Sequence, residues 1–269
     1  MQRKRGSRIG IILLVLIVLC CLLTACVGLY LWYTGSELLG QYGLSLPAAP
    51  AQEQIPAAAP TSVVRATGAS PVLYLAGRSD ITIPPLGEPS EIPVFSCRDG
   101  GVIQETFPPG YRVSAGTEFT FKATGLINFY GGPLDQGYPP DGDPNGSMAS
   151  IESFGGISGY EGPAGALAGV FLTDAVPLEP APDLIRFTAD ATGIEFARLE
   201  PQIGQVFFIG DGATSTGARQ NFVAPAGATR LFIGLVDGSF FFGPPTCYAD
   251  NVGSFDYEIN ASLPFEAIP

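Results

Sequence analysis

Residues 221–237, NFVAPAGATRLFIGLVD, and residues 247–259, CYADNVGSFDYEI, read as two β-strands joined by a loop. Arg230 to Val236 is apolar on both parities, the pattern of a central strand. Gly253 to Ile259 alternates, with Phe255, Tyr257 and Ile259 on one side and Ser254, Asp256 and Glu258 on the other. The joining loop is bracketed by Asp237 at one end and the Asp250-Asn251 pair at the other. Three side-chain oxygen donors thus converge on one loop. A hard cation such as calcium takes about 6–8 oxygens at roughly 2.3–2.6 Å. Asp, Asn and Gly also favour plain turns, so a solvated hairpin is the alternative reading.

The same patterning recurs upstream. Thr117 to Thr124 alternates, with Phe119, Phe121 and Ala123 on one face, and 166–172 and 206–209 are apolar on both parities. The chain has 35 Gly and 25 Pro, which cut these runs into short segments. No window of about 12 residues beyond the N-terminal region shows a helical stripe. The expectation is an all-β fold, an antiparallel β-sandwich of jelly-roll or galactose-binding-like type, over 94–260. Residues 72–93 are expected to be a short strand or docking segment with a Pro-rich lead-in, and 261–269 a C-terminal tail.

Ile9 to Trp32 runs roughly 24 residues without a charge, long enough for a helix to span a bilayer. Arg3, Lys4, Arg5 and Arg8 precede it and the first charge after it is Glu37. That asymmetry predicts a cytoplasmic tail at 1–8, a transmembrane anchor at 9–33 and everything beyond it outside. Tyr30, Trp32 and Tyr33 suit the interfacial belt, and the Ala/Pro-rich stretch 34–71 reads as a stalk. Leu23-Thr24-Ala25-Cys26 also fits a lipobox, which would anchor a lipoprotein at Cys26. A cleaved secretory signal is the third alternative. All three export the domain.

With 13 basic and 25 acidic residues the chain carries −12. Such a surface repels nucleic acid and attracts divalent cations. There is no histidine, which removes His-based acid–base chemistry, Ser-His-Asp and Cys-His systems and imidazole zinc sites. Asp190, Glu195 and Glu200 are dispersed acids with nothing to mark a glycosidase pair. The expectation is a binding protein, not an enzyme.

Cys97 and Cys247 are the only cysteines beyond the anchor, and outside the cell they are expected to form a disulfide. Asp141, Asp143, Asn145, Gly146 and Glu152 match the spacing of an EF-hand loop. Pro139-Pro140 and Gly155-Gly156 forbid the flanking helices. A helix-free second calcium loop and a turn of coincident spacing both remain open.

The ordered set of segments resembles the PA-IL-like (LecA-like) bacterial lectins, calcium-dependent galactose-binding β-sandwiches. The segments are Ala123-Thr-Gly-Leu-Ile-Asn-Phe-Tyr130-Gly-Gly-Pro133, the Pro-Pro-Asp141-Gly142-Asp143 turn, Gly165-Ala-Leu-Ala-Gly169, and the tail with Asp237, Asp250-Asn251 and Gly253-Ser-Phe255. The resemblance spans about residues 94–260. It implies calcium ligands at the Tyr130 carbonyl, the Asp237 carboxylate, the Cys247 carbonyl and the Asp250 and Asn251 side chains. It also implies a galactoside or cell-surface glycan as partner, with oligomers among its members. The loop here is longer than in the galactose-binding prototype, and the prototype's sugar-contacting His and Gln have no match after Asp143. Phe240, Phe241 and Phe242 in that loop would offer an aromatic face to a sugar or other partner, or fill the core beneath it.

Overall fold

The computed structural model describes residues 61–68 and 70–269, which form thirteen strands. In chain order these are β1 (Thr61–Gly68), β2 (Gly110–Arg112), β3 (Glu118–Asn128), β4 (Met148–Ile151), β5 (Tyr160–Pro163), β6 (Leu167–Leu172), β7 (Arg198–Leu199), β8 (Val206–Phe208), β9 (Asn221–Val223), β10 (Arg230–Leu235), β11 (Phe242–Gly243), β12 (Val252–Ala261) and β13 (Glu266–Ala267). The only helical elements among the described residues are 3-10 turns of three residues. None is long and apolar enough to cross a membrane. The expected anchor at 9–33, the lipidation alternative at Cys26 and the stalk up to residue 60 lie outside the described residues.

The strands form sheets of order β1-β12-β3-β9-β7, β13-β2-β10-β6-β8 and β11-β4-β5. Pairing is antiparallel except at the short β11–β4 and β7–β9 contacts, which are parallel. The fold is therefore all-β, with mixed rather than purely antiparallel sheets. Alternation sets the inner faces: Phe119, Phe121 and Ala123 of β3 and Phe255, Tyr257 and Ile259 of β12 are buried, as their pattern predicts. β6 and β8 are buried along their whole length. The two five-stranded sheets meet through rings. Phe119 of β3 lies 5.9 Å from Phe171 of β6, and Phe222 of β9 lies 5.5 Å from Phe207 of β8. The hydroxyls of Tyr111 in β2 and Tyr257 in β12 are 2.9 Å apart.

Three segments at the margins of the expected domain join its sheets or its core. Residues 61–68 were read as the end of a stalk, yet their backbone pairs with β12 from Thr61↔Ala261 to Gly68↔Ser254. Thr61, Val63, Val64 and Thr67 are β-branched, which suits a strand, and the pairing covers an edge of β12 that would otherwise be open. Val72 to Ala76 forms no strand: it is fully buried around a 3-10 turn at Leu73–Leu75 and packs against the core, the docking alternative. The tail contributes β13, paired with β2, and buries Phe265. The lead-in is equally integral, because Arg98 and Glu105 form a buried ion pair at 3.0 Å.

Candidate metal centre

β10 delivers Asp237 to the top of its sheet, and β12 begins one residue after Asn251. Between them the chain closes on itself. The Thr246 N–H donates to the Asp237 carbonyl at 3.1 Å. The Tyr248 hydroxyl accepts from the Asp237 N–H and donates to the Leu235 carbonyl, both at 3.2 Å. The Asn251 amide donates to Asp237 Oδ2 at 3.0 Å, and the Gly238 N–H donates to Oδ1 at 2.7 Å.

The register of β3 and β12 brings in the third segment. Val252 pairs with Asn128, so the chain beyond β3 runs past Asp250 and Asn251. The close contact is seen at Gly131, where a Cβ would stand 3.5 Å from the Asp250 carbonyl oxygen. Asn128 fixes this turn: its Oδ1 accepts from the Tyr130 and Gly132 N–H groups, and its amide donates to the Pro133 carbonyl. Gly253, with φ +118, allows the strands to approach, since a Cβ there would lie 2.2 Å from the Leu126 carbonyl oxygen.

The donor set is unusual in its satisfaction. Asp237 is 2% exposed and Asn251 0%. Asp250 Oδ1 and Asn251 Oδ1 are buried and have no hydrogen-bond partner among the described residues. Burial of an unpaired polar oxygen costs about 1–3 kcal/mol. Burial pushes the Asp237 carboxyl well above the usual carboxylate range. The Asn251 amide and Gly238 N–H pull it down, and the Asp250 charge pushes it up again. Burial also raises Asp250, against its own backbone N–H. Each Asp237 oxygen keeps a free lone pair after its one hydrogen bond. These oxygens are hard donors of the type calcium takes. Among the described residues no three His, Cys, Asp or Glu side chains cluster.

A strap from the lead-in fastens this loop from outside. Cys97 is bonded to Cys247, with Cα atoms 4.4 Å apart. The Ser96 and Thr246 hydroxyls are 2.6 Å apart, and the Ala249 carbonyl accepts from both Val102 and Ile103 N–H groups. Phe240, Phe241 and Cys247 are the non-glycine residues with left-handed backbone in the described chain, and all fall in this loop. Each costs about 1–2 kcal/mol, and such strain clusters at functional sites.

The EF-hand-like spacing is not gathered. Asp141 Oδ1 accepts from the Asp211 N–H, and burial together with the Asp211 and Glu195 charges raises its carboxyl, against that hydrogen bond. Burial would raise Asp143 too, but hydrogen bonds from Ser147 and Asn145 outweigh it and hold it low. Glu152 lies beyond β4, whose four residues span about 13 Å, so it does not turn back onto Asp141, Asp143 and Asn145. The Phe triplet divides: Phe241 is buried, Phe240 and Phe242 are exposed.

Sequence reading missed Asn128, Thr246, Tyr248 and the Ser96–Ile103 strap. Only Asn128 had a local signal, an Asn shortly before Gly131-Gly132, as side-chain-capped turns require. No model of a known protein family matches this chain, and no curated protein matches it either.

Proposed function

We propose that this chain is a calcium-dependent carbohydrate-binding protein of PA-IL-like type, a β-sandwich carried on the outside of the cell by its N-terminal segment. The reading rests on one observation: two buried side-chain oxygens, Asp250 Oδ1 and Asn251 Oδ1, lack partners beside a buried Asp237 carboxylate. A divalent cation supplies what all three want. It accepts lone pairs from the orphaned oxygens and offsets the charge of a carboxylate that burial alone makes costly. Asp237, Asp250, Asn251 and the carbonyls of Tyr130 and Cys247 would hold it. The ion, when bound, offers open coordination positions to vicinal hydroxyls of a sugar. No catalytic role is assigned, since the chain lacks histidine and its acids are engaged or dispersed.

Calcium titration of the purified chain, followed by thermal melts, tests this. Binding to the folded state alone raises stability by about 2.7 kcal/mol at a hundred times Kd. A further shift with galactosides, lost on adding chelator, is expected. A melt unmoved by calcium contradicts the reading. The second reading is a calcium-stiffened structural module. It is favoured by Asp143, which closes on Asn145 within its own turn where the lectin prototype contacts sugar. It predicts the calcium shift without the sugar shift.

A further inference from the structure

The turn at 139–148 and the loop at 187–196 line one cavity of about 830 Å³. That is within the range of small-molecule sites, about 300–1,000 Å³. Its walls are mostly apolar, with Met148, Phe187, Ile194 and Phe196 among them. A second cavity of about 400 Å³, lined by Asp211, Thr214 and Ser215, shares Asp141, Ile194 and Glu195 with the first. The carboxylates of Asp141 and Glu195 therefore stand where an apolar chamber meets a polar one.

Both walls are held from behind. The Phe187 N–H donates to the Glu161 carbonyl at 2.7 Å, and the Phe187 and Phe196 rings lie 6.1 Å apart. Gln220, fully buried, donates through its amide to the Ile194 carbonyl at 2.7 Å and to the Phe196 carbonyl at 3.1 Å. On the other wall the Gly142 N–H donates to the Pro139 carbonyl and the Asp143 N–H to the Ala164 carbonyl. Asp141 Oδ1 accepts from the Asp211 N–H at 2.8 Å. Glu195 Oε2 accepts from the Ser215 N–H at 3.0 Å and from its hydroxyl at 3.1 Å. A site braced in this way loses little freedom when it is filled.

The charge around the two cavities has one sign. No Lys or Arg lines either of them. Asp141, Glu195 and Asp211 form no ion pair among the described residues. Asp143 lines the larger cavity too, bonded to Asn145 within its own turn. Besides burial, the Asp211 and Glu195 charges raise the Asp141 carboxyl, as like charges held close must. A cleft with charges of one sign and apolar walls concentrates the opposite charge. A metal ion is a poor occupant, because no three of these carboxylates group closely enough to hold one. An ammonium or guanidinium group carries several N–H donors that can be shared among separate carboxylates. We infer that this cavity binds an organic cation, a primary amine or guanidine on an apolar stem. Asp141 and Glu195 take its charge, and Phe187, Ile194 and Phe196 take its stem. The site is independent of the calcium reading above.

Calorimetry on the full chain purified in detergent, with chelator present, tests this. The probes are phenethylamine, agmatine, the anionic counterpart 3-phenylpropionate, methylammonium, and lysine blocked at both ends as its N-acetyl methylamide. The native chain is expected to bind phenethylamine or agmatine about tenfold or more tighter than methylammonium, because the stem is buried, and to give no heat with 3-phenylpropionate. Asp141→Asn/Glu195→Gln keeps the acceptors that Asp211 and Ser215 use, so its melting curve should be unchanged. Its amine affinity should fall about tenfold or more with the charges gone. Ala191→Trp, at an exposed residue of the lining, leaves every carboxylate in place and should block the same probes by filling the cavity. It decides the matter if the double variant does not fold. Blocked lysine bound as tightly as agmatine assigns the cation to a protein side chain, and blocked lysine bound more weakly assigns it to a free amine. Either result upholds the site. Absence of amine heat, methylammonium bound as tightly as the stemmed amines, or folded variants with native affinity overturns it.

Discussion

The side-chain amide of Asn251 donates to Asp237 Oδ2 at 3.0 Å across fourteen positions of sequence, and both side chains are buried. That bond orients Asn251. With its nitrogen committed to Asp237, its Oδ1 is left on the other side of the amide, buried and unpaired. Under the proposed calcium reading, the carboxylate acting as acceptor leaves a neighbouring oxygen free to serve as a ligand, as partners of metal-binding side chains commonly do.

Replacing Asp237 with Asn separates fold from ion. The carboxyl is raised by burial, so its neutral isostere removes a charge that the calcium-free fold holds at a cost. The melting temperature in chelator is expected to stay level or rise. Calcium affinity should fall by about a hundredfold or more, as ligand charge count sets affinity in oxygen sites. Calorimetry with calcium, beside melts in chelator, reads both.

The calcium-free stability should also depend on pH through this residue. Asp237 titrates higher folded than unfolded, so the folded state holds more protons in between, and stability falls as pH rises through that window. The window opens near the ordinary Asp value of about 3.9 and extends upward. Glu118, held low by Arg198 and Asn221, works in the opposite sense: its stabilisation is lost as pH falls below the ordinary Glu range. The difference between native and Asp237→Asn melts in chelator isolates the first effect. It should widen in favour of the variant from pH 4.5 to pH 8, and a constant difference refutes it. Calcium should narrow it by binding the ionised carboxylate.

Cutting the strap tests whether the loop is ordered in advance. The Cys97→Ser/Cys247→Ser variant is expected to lose about 2–5 kcal/mol of stability. Calcium affinity should fall as well, because residues 246–250 lose the link to Cys97 that supports the Cys247 carbonyl. Denaturant melts and calcium calorimetry measure the two separately. A stability loss at unchanged affinity would make the strap purely structural.

The lead-in should prove inseparable from the domain. Arg98 donates to the Pro84 and Glu88 carbonyls and to Glu105, and is 6% exposed. Arg98→Met leaves Glu105 buried without its partner and should cost about 3–5 kcal/mol. Adding Glu105→Leu should recover a large part of that loss. Urea unfolding of the single and double variants checks the sign of this coupling.

Much of the β-structure was legible because each strand carries its own periodicity. β3 and β12 alternate in sequence and alternate in burial, and β6 and β8 are apolar on both parities and buried on both faces. The strap was not legible. Ser96, Val102 and Ile103 carry no pattern that points to Thr246 and Ala249, about 150 positions away, and only packing selects those partners. The Phe triplet shows the same limit. Three identical residues in a row cannot announce which one turns inward. Phe241 is the one that meets Phe129, Tyr130 and Tyr138 once β3 and the 134–138 turn are in place.

The amino-acid sequence by itself determined the class of structure and the kind of chemistry on offer. Local alternation dictates strands, and a chain without histidine but with Asp237, Asp250 and Asn251 around one loop offers side-chain oxygens there and no imidazole. The tertiary structure alone decided that Asp237 touches Asn251, that the strap from Cys97 closes over the loop, and that two of three phenylalanines face water. Those contacts depend on strand register and on side chains far apart in the chain, and no short-range rule of backbone geometry contains them.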